Sequence, residues 1–228
     1  MMSQDLKKSM LEYYTHCAQE FDEKYKGRGS ASILDPQAYQ DEVVILSDIV
    51  KATCSGNLLD MACGTAFWLP HYASNCYHIT LFDQSYGMLV QAQNRAASIG
   101  VSDLITTISG DALSYQFREN QFDIVLVAFL ISHFTADQEA RFFRMLKSII
   151  KPNGKVLVLD SVWSDTHGQN RKKEGIQRRS IGNGREFQVY KKYFTKKDLS
   201  SFITKYSVEL SVGYFGKLFF AAHAVIEK

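Results

Sequence analysis

The chain is 228 residues long, 46% hydrophobic and 22% charged, with 14 Gly and 3 Pro. That length suits one α/β domain and leaves little room for a second, and the composition excludes disorder, collagen-like repeats and long linkers. The formal net charge of +2 conceals a division: residues 1–165 carry 13 Lys and Arg against 19 Asp and Glu, whereas residues 166–228 carry 13 against 5. A near-neutral total is therefore compatible with an anionic partner for the C-terminal part. The longest apolar run, Ile124 to Ile131, is far short of the ~20 residues of a membrane-spanning helix. The first eight residues, Met1 to Lys8, hold no apolar stretch of the kind that opens a signal peptide, so a cytoplasmic location is expected. Cys17, Cys54, Cys63 and Cys76 form no C-x-x-C pair and have no zinc-ligand spacing to a His, which argues against both a structural metal and a disulfide framework.

The spacing predicts an amphipathic helix over Ser9 to Lys26, broken by Gly27-Arg28-Gly29-Ser30, and a second from Pro36, a good first-turn residue, to about Thr53. The pattern then changes. Asn57 to Met61 reads as a short buried strand, followed by a Gly-containing turn and a helix from about Phe67. His78 to Asp83 is the next strand, with a helix over Ser85 to Ser98 that stops at Gly100. Leu104 to Ser109 and Phe122 to Phe129 are the third and fourth strands. Thr135-Ala136-Asp137-Gln138 is a capping-box start for a helix carrying Phe142, Phe143, Leu146, Ile149 and Ile150 on one face. Pro152-Asn153-Gly154 turns the chain into a strand over Lys155 to Asp160. After a polar stretch come a helix, Lys196 to Lys205, and two strands, Ser207 to Tyr214 and Leu218 to Glu227. Alternating strands and helices imply a mostly parallel sheet with helices on both faces, and runs such as Ile124-Val125-Leu126-Val127 fit strands buried on both sides. The last two strands read as an antiparallel hairpin at one edge.

In such a sheet ligands bind beyond the carboxyl ends of the strands. After the first strand comes Asp60-Met61-Ala62-Cys63-Gly64-Thr65-Ala66, whose small residues let backbone approach a ligand while the following helix would offer a positive N-terminus. Asp60 is placed to orient a water or an amine. Asp83, at the end of the second strand and 23 residues beyond Asp60, can accept from both hydroxyls of a ribose. After the third strand, Asp111 in Gly110-Asp111-Ala112-Leu113 can accept an adenine amino hydrogen.

This set resembles the class I S-adenosylmethionine-dependent methyltransferases over roughly residues 55–162. The family's glycine-rich first motif matches Leu59 to Thr65, its ribose-binding acid falls on Asp83, and its adenine-side acid falls on Asp111 with Ala112 following. Its post-fourth-strand motif lies over Ala128 to Leu130, and its Pro-Gly-Gly-like turn is Lys151 to Lys155. The resemblance implies a Rossmann-like seven-stranded sheet, S-adenosylmethionine as methyl donor and S-adenosylhomocysteine as product. It implies a cofactor site formed by Tyr25, Asp60, Ala62, Cys63, Gly64, Thr65, Asp83, Gln84, Met88, Asp111, Ala112, Leu113, Ala128 and Phe129. Residues 1–54 are then a helical lid, 55–162 the cofactor core, and 163–228 a substrate-side insertion with the closing hairpin. Two of the family's glycines are Ala62 and Ala66 here, and Ala66 is expected to set a methyl group where backbone nears the cofactor. The dehydrogenase fingerprint G-x-G-x-x-G is absent. So is the Asn-Pro-Pro-Tyr-like motif of enzymes that methylate amide or exocyclic amine nitrogens; its slot reads Ala128-Phe129-Leu130-Ile131.

Methyl transfer needs little acid–base machinery beyond placing the nucleophile, but a hydroxyl acceptor benefits from a base. His133, just past the fourth strand, is the candidate, against the plainer role of a surface histidine before the Thr135 cap. Tyr14, Phe21 and Tyr25 fall on one helical face; Phe21-Asp22-Glu23-Lys24-Tyr25 resembles the segment that closes over the cofactor in many small-molecule methyltransferases, giving Tyr25 a lid role and Tyr14 a substrate-side one. Trp68 reads as packing. Within Ser161 to Tyr193, the turn Gly182-Asn183-Gly184-Arg185 and the alternation of Phe187, Val189 and Lys191 suggest a small hairpin or strand. A bacterial group of small methyltransferases carries similar Arg-x-Phe-x-Val segments. Arg185 is a candidate partner for a substrate carboxylate or phosphate, whereas the lysines of this stretch read as a solvated basic loop. The expected activity is methyl transfer to a small-molecule acceptor, an oxygen, or else a carbon or nitrogen, of an anionic metabolite. Methylation of RNA or another polyanion, and a non-catalytic cofactor-binding role, are the alternatives. No separate RNA-binding module fits in this length, which argues against nucleic acid.

Overall fold

The computed structural model describes residues 2–28, 35–163, 172–182, 184–206 and 208–225. Gly29, Ser30, Asn183, Ser207 and Glu227, each part of an expectation above, lie outside them. In chain order the elements are α1 (Gln4–Cys17), a 3-10 helix (Phe21–Lys26), α2 (Pro36–Thr53), β1 (Gly56–Met61), α3 (Leu69–Tyr72), β2 (Cys76–Asp83) and α4 (Tyr86–Ser98). There follow β3 (Ile105–Ser109), β4 (Phe122–Ala128), α5 (Ala136–Ile149), β5 (Ile150–Ser161), β6 (Glu174–Ser180) and β7 (Glu186–Lys192). The chain closes with α6 (Lys196–Ser200), α7 (Phe202–Tyr206), β8 (Glu209–Phe215) and β9 (Phe219–Val225).

Seven strands make one sheet in the order β3-β2-β1-β4-β5-β9-β8, and β6 pairs with β7 in a separate two-stranded ribbon. β1 to β5 are parallel, and β9 runs antiparallel to both β5 and β8. The strand order reverses between β1 and β4, whose carboxyl ends therefore open a crevice. The central strands carry apolar residues on both faces because both are covered. Leu58, Ile124, Leu126, Leu157 and Leu159 pack on one side with Val43, Leu46 and Val50 of α2. Their neighbours Leu59, Val125, Val127, Val156 and Val158 pack on the other with Phe142, Phe143 and Leu146 of α5. A third cluster joins Leu6, Met10, Tyr13 and Cys17 of α1 to Phe187 and Val189 of β7 and Met88 of α4. It seats α1 over the crevice.

Several boundaries differ from the sequence reading. α1 begins at Gln4, because Ser3 Oγ accepts the Leu6 N–H at 3.2 Å as an N-cap. It ends at Cys17, so the expected single helix through Lys26 is two pieces separated by a turn. The helix expected from Phe67 shrinks to α3, four residues long. It has too few aligned peptides to present a useful dipole to the glycine loop. Ile150 leaves the helix for an extended conformation (ψ 141°), and β5 starts there rather than at Lys155. Residues 196–206 form two short helices instead of one. α2 matches its expected limits, with Asp35 capping the Ala38 N–H at 3.0 Å and Pro36 opening the helix.

Candidate active site

The loop after β1 places Ala62, Gly64 and Ala66 in the left-handed region, at φ 58°, 56° and 53°. Glycine accepts that conformation freely, whereas each alanine holds it at a cost of order 1 kcal/mol. Ala66 is fully buried against the α2-side core and does not line the cavity. The expectation that its methyl would crowd a ligand is therefore not met; its effect is on backbone strain.

Asp83 lies beneath this loop. Its Oδ2 accepts the Gly64 N–H at 2.9 Å and its Oδ1 the Ser85 N–H at 2.8 Å. Burial pushes its carboxyl up to about 6, against the pull of the Ser85, Gly64 and Gln84 amides. A carboxylate offers about four acceptor positions, so lone pairs remain for ribose hydroxyls. Asp60 is fully buried: Tyr72 donates its hydroxyl to Oδ2 at 2.7 Å, and Oδ1 has no partner. Burial, with the Tyr72 bond opposing it and Asp83 adding to it, lifts its carboxyl to about 7. The Nε1 atom of Trp68, on the cavity wall, is likewise buried without an acceptor. Asp111 Oδ1 holds the Leu113 N–H at 2.9 Å. Bare buried polar atoms beside a left-handed small-residue loop and a two-oxygen acid are what a cationic, amine- and hydroxyl-bearing nucleoside cofactor would complete, so the residues present fit S-adenosylmethionine.

The cavity holds about 840 Å³ and passes from Asp83, Gln84, Met88, Asp111, Ala112 and Leu113 to a second end at His133 and Tyr14. Ala62, Cys63, Gly64, Tyr25, Ala128 and Phe129 line it between these groups. Phe129 is held at φ 57°, a strained conformation for so large a residue, with its N–H on the Leu159 carbonyl at 2.7 Å. Three expected site residues stand off the lining. Asp60 lies below it. Thr65 donates its hydroxyl to Asp22 at 2.6 Å, and Asp22 pairs with Arg95, whose Nε donates to the Thr65 carbonyl at 2.9 Å; this latches the 3-10 helix to the loop. Arg185 sits on the outer side, 3.1 Å from His16 Nε2 and over the Phe187 ring.

His133 is half-buried between two partners. Its Nδ1 lies 2.6 Å from the Tyr190 carbonyl, which can only accept, so Nδ1 carries the hydrogen. Its Nε2 then presents a lone pair, and Tyr14 donates its hydroxyl to it at 2.8 Å. Burial, reinforced by Lys191, Arg179 and Lys24, holds the imidazole well below the usual histidine range, so it is neutral, with its lone pair at Nε2. Lys191 and Lys192 are not solvated, as their sequence context suggested, but buried. The Lys191 Nζ atom reaches Ser132 Oγ at 2.6 Å and Asp160 Oδ1 at 3.2 Å, and Lys192 pairs with Glu139. Lys24, Arg179 and Lys191 all line the His133 end of the cavity. Sequence reasoning missed these three; the only trace was the alternation of residues 187–191, which set Lys191 on the same face as Phe187 and Val189.

Residues 58–154 match the family described as "Methyltransferase domain". Among curated relatives, the ubiquinone/menaquinone biosynthesis C-methyltransferase UbiE of Roseobacter denitrificans is 33% identical over 119 residues, covering 50% of this chain and 46% of the relative. The chain thus matches less than half the length of that protein. Among solved structures, the "DhpI-SAM-HEP complex" aligns with a TM-score of 0.79 at 22% identity, covering 99% of this chain and 100% of the other. The "DhpI-SAH complex structure" aligns at 0.78 and 22%, covering 98% of each. At such identity these two speak for the fold. The sheet order, the strand-end acids and the likeness to these structures give this chain the fold of the class I S-adenosylmethionine-dependent methyltransferases, and residues 58–154 match a methyltransferase domain.

Proposed function

We propose that the protein transfers a methyl group from S-adenosylmethionine to an oxygen of a small, anionic metabolite enclosed beneath α1, releasing S-adenosylhomocysteine. The supporting observation is the continuity of the cavity: one chamber joins the Asp83–Asp111 end, suited to a nucleoside, to a basic end built around an imidazole lone pair. A roofed chamber of this volume suits a metabolite and not a polynucleotide, which favours the small-molecule reading over the RNA one.

When bound, the cofactor supplies a methyl group already activated by a sulfonium. The chain's own residues have three tasks. Asp83 accepts from the ribose hydroxyls, Asp111 and Leu113 border the adenine, and Asp60, below the lining, acts on the amine through a bridging water or the loop above it. Aromatic walls, among them Phe21, Phe129 and Trp163, exclude water. His133 Nε2 accepts the proton of the acceptor hydroxyl, the place Tyr14 now fills. The UbiE relatives favour a second reading, methylation at carbon of an electron-rich ring, and the aromatic lining of Tyr14, Phe21, Trp163 and Tyr193 would hold such a ring.

Two measurements test this. A charge-assisted hydrogen bond contributes roughly 1.5–3 kcal/mol, so Asp83→Ala is expected to weaken S-adenosylmethionine binding at least tenfold by calorimetry; equal affinities would overturn the cofactor site. Incubation with a panel of hydroxyl- and ring-bearing acids, read by mass spectrometry and then carbon NMR, separates O-methyl from C-methyl products. No methylated product from any acceptor would overturn the catalytic reading.

A further inference from the structure

The acceptor end of the chamber carries more positive charge than its own residues neutralise. Lys24 comes from the 3-10 helix, Arg179 from β6 and Lys191 from β7, and all three oppose protonation of His133. Only Lys191 has a carboxylate partner among the described residues, Asp160, whose oxygens also accept the Ser132 and Ser161 N–H groups at 2.9 and 2.7 Å. Arg179 bonds to Gln177 Oε1 at 2.8 Å, and the Lys24 ammonium lies 3.1 Å from the Phe21 ring centroid. Neither meets a carboxylate within ion-pair distance among the described residues. Burial, with Lys191 and Arg179 adjacent, pushes Lys24 down to about 7, although Cys17 and Asp22 act the other way. The remaining groups facing His133 are Tyr14 of α1 and the Tyr190 carbonyl of β7, with Asp160 of β5 and Cys17 of α1 acting on Tyr14.

Three basic groups against one carboxylate leave between one and two positive charges in a partly dry chamber, because Lys24 at about 7 is only partly protonated at neutral pH. Like charges held together there destabilise the free protein, and an anion between them reverses the sign. A guanidinium presents a fork matched to two oxygens, and an ammonium adds a point charge from the opposite wall. We infer that Lys24, Arg179 and Lys191 form an oxyanion subsite that holds the negative group of the methyl acceptor beside His133, and that filling it enables His133 to take up a proton. This rests on the methyl-transfer reading above and adds the chemistry of the acceptor. An anion placed there favours the charged form of Lys24, and the excess approaching two that results matches a phosphoryl-type dianion better than a single carboxylate. It also couples selectivity to catalysis: an uncharged analogue would enter the chamber and find a histidine that its neighbours keep from accepting a proton.

The test titrates inorganic phosphate, and separately acetate, into the protein loaded with S-adenosylhomocysteine, by calorimetry and by NMR of the His133 ring. Phosphate is expected to bind and to raise the His133 titration midpoint by about one unit or more. Arg179→Gln and Lys24→Met are each expected to weaken phosphate at least tenfold, with Arg179→Gln leaving S-adenosylhomocysteine affinity within twofold. Weaker binding of acetate supports a phosphoryl acceptor, and acetate binding as tightly or more tightly supports a carboxylate; both support an oxyanion subsite. The subsite is overturned if neither anion binds the loaded protein, if binding is indifferent to both substitutions, or if the His133 midpoint stays in place. Failure of S-adenosylhomocysteine itself to bind is a different result, and it removes the methyl-transfer reading.

Discussion

Asp60 and Asp83 sit under the same loop and meet burial differently. Both oxygens of Asp83 are engaged by backbone amides, while Asp60 has one oxygen on Tyr72 and one bare. An unpartnered carboxylate oxygen in a core costs stability unless a ligand uses it. The consequence has a sign. An unfolded aspartate titrates near 3.9, and the folded Asp60 and Asp83 at about 7 and about 6. Between those values the native state holds more protons than the unfolded one, so these groups make stability fall as pH rises through that window and level off above it. Asp60→Asn keeps an acceptor for Tyr72 and removes the charge. It is expected to raise the urea midpoint of the ligand-free protein at neutral pH, by about 1–3 kcal/mol in stability given roughly 1.4 kcal/mol per pKa unit less the cost of an unpaired amide. It should also flatten the pH slope and weaken S-adenosylmethionine binding. A variant that is less stable at neutral pH, or binds the cofactor as well as wild type, would contradict this account of Asp60.

At the scale of elements, α2 is fastened to the far end of the chain by one buried side chain. Glu42 accepts the N–H groups of Lys217 at 2.7 Å, Leu218 at 3.2 Å and Phe219 at 3.0 Å, in the turn between β8 and β9. Glu42→Ala strands those donors and is expected to cost about 2–4 kcal/mol, read as a lower urea midpoint; Glu42→Gln, which keeps one acceptor, should recover part of it. An alanine variant of unchanged midpoint would refute the clamp. α2 itself was legible, because Pro36, the Asp35 cap and the stripe of Val43, Leu46 and Val50 agree locally. The clamp was not, since its partners lie 175 residues or more away. The same contrast divides the site. Asp60, Asp83 and Asp111 could be located because strand ends fix them, whereas the facing of Arg179 and Lys191 depends on the β6–β7 ribbon folding back beneath α1. The break after Cys17 and the brevity of α3 were hidden too: helical spacing persists through Tyr25, and only tertiary packing ends the helix.

At the scale of the molecule, the charge division finds its place in the chamber. The acidic portion supplies Asp83 and Asp111 to the cofactor end, and the basic portion supplies Arg179 and Lys191 to the acceptor end. The two meet under α1, which closes the chamber from above. That roof has its own small core, joined to β7 and α4 and separate from the two clusters on the sheet faces. We propose that α1 lifts as a unit without opening the sheet, as local units of lower stability do. Its contact with α4 is close: a Cβ on Gly87 would meet the Thr15 carbonyl oxygen at 2.9 Å, and Thr15 Oγ1 lies 3.0 Å from Ser85 Oγ. Tyr14, one residue away, must leave Nε2 of His133 before an acceptor hydroxyl can take its place, and we predict that movement of α1 accompanies that exchange. Joining Thr15→Cys to Ser85→Cys as a disulfide would hold the roof down, while Cys17, Cys54, Cys63 and Cys76 stay buried. The oxidised double variant is expected to exchange S-adenosylhomocysteine and turn over acceptor at least tenfold more slowly than its reduced form, with full recovery on adding reductant. Stopped-flow release of the product and steady-state turnover, each compared between the two redox forms, measure this. Equal rates would mean that ligands reach the chamber by a route that leaves α1 in place.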